Sequence, residues 1–192
     1  MSQPLAEVIA SDSRLLTAQC YDLYCSPQLG ALVAVGEPKV YAVVQGVRTE
    51  PLDPGRPVLA RGRGSGSLEE VYRSNPQIER LLTTRFDALI VGHELDGHMV
   101  QLLPPLPPPI HSFVSACEPE EVARFTENLD FCRFLLGSGP PMADEVVVAC
   151  LRHAANCRSD GDDFIKRAGQ AIASEAVGDS VRVAAILRRA RV

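Results

Sequence analysis

The hydrophobic positions of this chain fall into two regimes, a period near 2 through the first half and a period near 3.6 over the last third. Leu5 to Ala10 and Leu15 to Tyr21 alternate or run apolar on either side of Ser11-Asp12-Ser13, whose turn chemistry predicts a hairpin. Ala31 to Val35 and Val40 to Thr49 repeat that pattern around Gly36-Glu37-Pro38, until Glu50-Pro51-Leu52-Asp53-Pro54-Gly55 breaks the sheet. Leu68 to Tyr72 and Gln77 to Thr84 take helical spacing, with Pro76 at a first helical position behind Asn75 as cap. This helical insert is expected to lie across a barrel mouth. Phe86 to Leu95 and His98 to Leu103 form the clearest hairpin, because Asp96-Gly97 is a type I′ turn pair. Together these segments predict about six strands.

Leu102-Leu103-Pro104-Pro105-Leu106-Pro107-Pro108-Pro109-Ile110-His111-Ser112 follows. Proline donates no ladder hydrogen bond and favours polyproline II, so the sheet is expected to end here and the chain to leave as a strut of roughly 20 Å, at ~3.1 Å per residue. Beyond it, Pro119 to Leu136 reads as one amphipathic helix, with Val122, Phe125, Leu129, Cys132 and Leu136 on one face. Gly137-Ser138-Gly139-Pro140-Pro141 stops that helix and makes a linker, so a chain truncated near Gly137 is expected to keep a β-dominated fold. Three more helices are predicted, Met142 to Cys157, Asp163 to Val177 and Ser180 to Arg191, punctuated by Ser159-Asp160-Gly161 and Gly178-Asp179. Helices this short bury little core alone, yet they carry Val146, Val147, Leu151, Phe164, Ile165, Ile172, Val181, Val183, Ile186 and Leu187. Some of these must meet the barrel or another chain.

Several of these segments together resemble a known module. They are the opening strand Leu5-Ala6-Glu7-Val8-Ile9, then Gly30-Ala31-Leu32-Val33-Ala34-Val35, then Val43-Val44-Gln45-Gly46-Val47, and the proline exit with Ser112-Phe113-Val114 and acidic Glu118-Pro119-Glu120-Glu121. From Leu5 to about Leu136 the chain is similar to the HerA/ATP-synthase (HAS) barrel, which precedes the motor domain of HerA-type DNA translocases and occurs in rotary ATP synthase subunits. The resemblance implies a six-stranded barrel and, as a family role, a platform for protein assembly. ATP hydrolysis does not carry over to any residue. A P-loop needs Gly-x-x-x-x-Gly-Lys-Ser/Thr, and Gly62-Arg63-Gly64-Ser65-Gly66-Ser67 has no following Lys. The ~60 residues after the exit helix are too few for a motor domain.

Length and charge narrow the reading further. At 192 residues the chain suits one ordinary domain and a small second unit, and the net charge of −5 argues against a general phosphate-binding face. Apolar stretches are too short to span a membrane and Met1-Ser2-Gln3-Pro4 has no signal character, so a cytoplasmic protein is expected. Cys20, Cys25, Cys117, Cys132, Cys150 and Cys157 contain no Cys-x-x-Cys and are read as reduced thiols. Only Lys39 and Lys166 are lysines among 19 basic residues, which fits a GC-rich genome and carries no function.

Candidate chemistry is sparse. His93-Glu94-Leu95-Asp96-Gly97-His98 misses the zinc-protease spacing by one residue, and its turn pair forbids the required helix. The hairpin register puts Leu95 opposite His98 and His93 opposite Val100, so the two histidines share a face, as a two-His metal site or as ordinary tip residues. Cys150, His153 and Cys157 share a helix face that continues into Val146, Val147 and Ala154, which favours buried thiols over ligands. Asp160-Gly161-Asp162-Asp163 lacks the ligand spacing of an EF-hand and reads as a helix cap. Two arginine groups remain as partner-binding candidates. Arg56, Arg61 and Arg63 flank the glycine loop, and Arg182, Arg188 and Arg189, with Arg191, crowd the last helix, where they also complement its dipole.

The resulting reading is an α+β protein, with a six-stranded HAS-like barrel and helical insert over 1–137 and a small helical unit over 142–192. The leading function is a non-enzymatic adaptor for a larger protein complex, an ATPase or ATP-synthase-type ring by family analogy, with self-association as a further option. The alternative is a nucleic-acid-associated accessory factor using the same arginines. No catalytic set, cofactor or metal is assigned.

Overall fold

The computed structural model describes residues 3–137, 142–176 and 179–191. Seven strands are formed, β1 (Ala6–Ser11), β2 (Leu15–Cys20), β3 (Leu32–Val35), β4 (Val40–Pro51), β5 (Leu82–Leu95), β6 (His98–Val100) and β7 (Phe113–Ala116). Six of them close a ring in the order β1-β2-β5-β4-β3-β7, with every neighbour antiparallel. Closure leaves the ring without a free edge.

The ring has six strands, the number expected, but its sixth strand is a different one. β6 is only three residues long and pairs outside the ring with β5, in the expected register of Leu95 with His98 and His93 with Val100. Asp96 and Gly97 hold φ of 51° and 77°, as a type I′ turn requires. The proline run does not end the barrel. It crosses the barrel end that carries the hairpin turns, where Ser11 Oγ donates to Pro108 O at 2.6 Å, and delivers β7 between β1 and β3 to close the ring. His111 N donates to Val8 O and Val8 N to Ser112 O, at 2.9 and 3.0 Å, so pairing resumes as soon as the prolines stop.

Side chains fill the ring. Val8, Leu16, Ala18, Val33, Ala42, Phe86, Ile90 and Val114 belong to one interior cluster, with small residues between the few large ones, as a narrow barrel demands. β3, β4 and β5 are also covered outside, which explains why Leu32–Val35 and 40–44 read as continuous apolar runs rather than alternation. Their outer residues Leu32, Tyr41, Val43, Leu89 and Val91 join a second cluster with the helices.

The expected helix over 119–136 is two helices, α2 (Pro119–Phe125) and α3 (Cys132–Leu136). Gln101 explains the break. Its buried amide donates to Phe125 O at 2.6 Å and Asn128 O at 2.9 Å, while its carbonyl oxygen accepts from Phe131 N at 2.8 Å. One side chain thereby satisfies the end of α2 and the start of α3. Phe125 and Phe131 turn into the core against Tyr41, with ring centroids 5.7 Å and 5.0 Å from Phe125.

Three helices follow, α4 (Met142–Asn156), α5 (Gly161–Glu175) and α6 (Ser180–Ala190). Residues 138–141 of the expected linker, and Val177 and Gly178 of the next junction, lie outside the described residues. Val146, Val147, Leu151, Phe164, Ile165, Ile172, Val183 and Ile186 are all buried in the cluster that contains the barrel's outer face, whereas Val181 is exposed. α4 comes so close that a Cβ on Gly30, itself at φ +80°, would stand 2.4 Å from the Ala149 carbonyl carbon. The helical unit and the barrel therefore share one core.

The insert between β4 and β5 holds helix α1 (Leu68–Ser74), followed by a 3-10 turn over Pro76–Arg80. The second element stops at Arg80, because Leu82, Thr83 and Thr84 are already strand and pair with Pro51, Glu50 and Thr49. β4 and β5 outrun their other neighbours there and leave the ring as a two-stranded ribbon, at the end opposite the prolines. From Pro51 to Leu82 no residue is buried, so the insert sends no side chain into the barrel and does not plug its mouth.

Candidate partner-binding site

The ribbon positions the insert through hydroxyls at its base. Thr84 Oγ1 pairs with Thr49 Oγ1 at 3.0 Å and accepts from the Tyr24 backbone N–H at 2.8 Å. Tyr24 adopts φ 65°, and its hydroxyl meets that of Tyr72 at 2.6 Å, with the two rings edge to face. That hydrogen bond, with burial, pushes the Tyr72 phenol up to about 12. Ser67 caps the insert helix by accepting from Glu70 N at 3.2 Å, and the Glu70 carboxylate accepts from Gly66 N at 2.7 Å. A donor of the glycine loop is thus already answered by an internal carboxylate, which weighs against a phosphate cradle.

Between ribbon and 3-10 turn lies a cleft of about 280 Å³. Leu52, Val58, Leu59, Ile78, Leu81 and Leu82 supply apolar lining, and Arg56, Arg61 and Arg80 stand with Asp53 around it. Arg56 Nε lies 3.5 Å from Asp53 Oδ2, and Arg61 donates to the neutral Asn75 Oδ1 at 3.4 Å. Asn75 also donates to Val71 O, so its side chain braces the turn rather than capping the 3-10 segment as expected. Arg80 has no carboxylate partner among the described residues. The structure thus brings Arg56 and Arg61 to one cleft, and leaves exposed Arg63 outside its lining.

The C-terminal arginines divide differently. Arg182 Nε donates to Asp144 Oδ1 at 2.8 Å and Arg189 pairs with Glu145, so both tie α6 to the first turn of α4. Arg188 is exposed and without a partner among the described residues. Two of the three expected partner-binding arginines on α6 therefore already have intramolecular partners.

The remaining candidates have structural surroundings. His93 Nδ1 lies 3.0 Å from Leu102 O, and His98 is exposed. Cys150 is buried in the core, where burial pushes its thiol up to about 12, and His153 is half-buried with its imidazole pKa pushed down by desolvation. Asp160 precedes α5 but makes no side-chain cap bond there. Its carboxylate instead accepts from Arg158 and Arg167 at 2.9 and 3.1 Å. Among the described residues no group of three or more His, Cys, Asp or Glu is placed to hold a metal ion, and no helix is long and apolar enough to cross a membrane. A larger cleft of about 660 Å³ lies beside β7, but its Lys39 and Glu121 are paired at 2.6 Å, with Tyr41 donating to the same carboxylate at 3.1 Å.

Residue patterns alone do not single out Leu52, Val58, Leu59, Ile78 or Arg80 as a site. The available signal was apolar residues between prolines and arginines with no strand period to bury them. A scan against protein-family models gives no match, and a search of curated proteins gives none either.

Proposed function

We propose that this protein is a non-enzymatic assembly or adaptor module that docks on a larger protein complex through the insert between β4 and β5. One observation carries the reading. A folded excursion from Pro51 to Leu82 presents Leu52, Val58, Leu59, Leu68 and Leu81 to solvent while burying none of its own residues. Exposed apolar side chains that add nothing to either core support a contact role. The resemblance to HAS barrels fits the same role, with an ATPase or ATP-synthase-type ring as the partner class.

Nucleic-acid association draws less support, because Arg182 and Arg189 are engaged within the chain and the insert sets Asp53, Glu69, Glu70 and Glu79 among its arginines. The test is affinity capture from the source organism with the full chain and with a variant whose residues 53–80 are replaced by a short Gly/Ser turn. The expected result is an intact fold with loss of the captured complex. Capture that survives the replacement would refute docking through the insert.

A further inference from the structure

We propose that the cleft beside the insert takes an acidic peptide segment of a partner protein, with one or two apolar side chains seated in the cleft and flanking carboxylates on Arg56, Arg61 and Arg80. The proposal rests on the adaptor reading and specifies the chemistry of that same site.

Three features select this occupant. First, the size is small. About 280 Å³ falls below the ~300–1,000 Å³ usual for small-molecule sites, and the lining is open, which suits side-chain anchors better than an enclosed cofactor. Second, the lining is apolar where contact would be made. Val58 and Leu59 are 63% and 66% exposed, so covering them removes apolar surface from water, a gain that a phosphate backbone would not collect.

Third, the charge is one-sided. Three guanidiniums face one carboxylate, and the one ion pair among them, Arg56 with Asp53, is a solvent-exposed contact at 3.5 Å that leaves donors free. Among the described residues Arg61 has only a neutral acceptor, at 3.4 Å. Guanidiniums at the rim of an apolar patch offer paired donors to carboxylates, and they hold this role on a chain whose net charge of −5 would otherwise repel an acidic partner. Glu79 and Glu70 do not offset them within the cleft. Glu79 borders the neighbouring cleft, and Glu70 is bonded to Gly66 N.

The test uses the full chain and a fluorescein-labelled library of short Asp/Glu peptides, each carrying one or two of Leu, Ile or Phe, read by fluorescence anisotropy. Members of this library should bind the natural protein, and the Arg61→Glu, Arg80→Glu double variant should weaken them about tenfold or more. Leu59→Ser, at an exposed position that the fold does not need, should weaken them as well, while Arg188→Glu should not. Replacing the apolar residues of the peptides by Ser should abolish binding.

Equal binding of the Ser peptides would overturn the proposal in favour of a purely ionic surface. Tighter binding of a single-stranded oligonucleotide or of decanoate, or no binding by any library member, would overturn it too. If capture of the partner complex still depends on residues 53–80 when these peptide results are negative, the partner chemistry is wrong and the docking role stands. If capture is independent of those residues, the docking role fails with it.

Discussion

The hydroxyls of Tyr24 and Tyr72 meet at 2.6 Å, joining the loop after β2 to a helix 48 residues further along the chain. The contact is exposed, yet it bridges the barrel and a segment that buries nothing. Its loss should therefore loosen the insert without unfolding the protein. Tyr72→Phe is expected to change global stability by less than ~1 kcal/mol, because a solvent-exposed hydrogen bond contributes little net. Trypsin should already cut first at Arg61 or Arg63, since Pro57 blocks cleavage after Arg56, and faster in the variant. First cleavage in the helical unit would contradict this placement.

Gln101 is the opposite case. It is buried and makes three hydrogen bonds to backbone groups of the α2–α3 junction. Gln101→Leu would leave buried partners unsatisfied, at ~1–3 kcal/mol each before relaxation, so a net loss of about 2–4 kcal/mol is expected in urea unfolding. A change below ~0.5 kcal/mol would show that the junction does not depend on it.

The contrast between these residues shows what the sequence could convey. Alternation identified β1 and β2, and Asp96-Gly97 fixed the β5–β6 register, because both signals are local. The closure of the ring by β7 was hidden, since a four-residue strand after prolines has no period to read and is defined only by its neighbours β1 and β3. The break at Gln101 was equally invisible, because an amide distant in sequence supplies the junction's partners. In the site, arginines near the glycine loop stood out by composition. That Arg56, Arg61 and Arg80 share a cleft, and that Arg182 and Arg189 are paired, depends on tertiary placement.

The interior barrel cluster is drawn wholly from residues up to Val114, but the outer cluster needs α4 to α6. A chain truncated after Gly137 is thus expected to keep β-dominated circular dichroism while exposing Leu32, Val43, Leu89 and Val91. It should bind a hydrophobic dye, self-associate, and melt well below the full chain. A monomer with unchanged melting temperature would show that the helices add nothing to the barrel.

Alkaline pH should be destabilising in a defined window. Burial raises the thiols of Cys20 to about 11 and Cys150 to about 12, and raises Cys117 and Cys132 as well. These groups stay neutral in the folded protein while unfolded thiols ionise near ~8.5, so their contribution is complete below that pH and is lost as pH climbs toward the folded values. Lys39, raised by its bond to Glu121, acts in the same direction, its contribution fading above the ordinary lysine range. Urea midpoints should therefore fall from about pH 9 upward. A thiol reagent at pH 8 should label exposed Cys25 quickly and Cys20, Cys117, Cys132 and Cys150 only on unfolding. Rapid labelling of all six cysteines in the folded protein would contradict the burial.

The central claim is that the insert meets the partner while the barrel and helical unit support it. Hydrogen–deuterium exchange of the full chain, alone and with its captured complex, tests this most directly. The account predicts new protection within residues 51–82, strongest around Val58, Leu59 and the 3-10 turn, with little change in α5 and α6. Protection confined to α6 or to the cleft beside β7, with residues 51–82 exchanging as in the free protein, would contradict it.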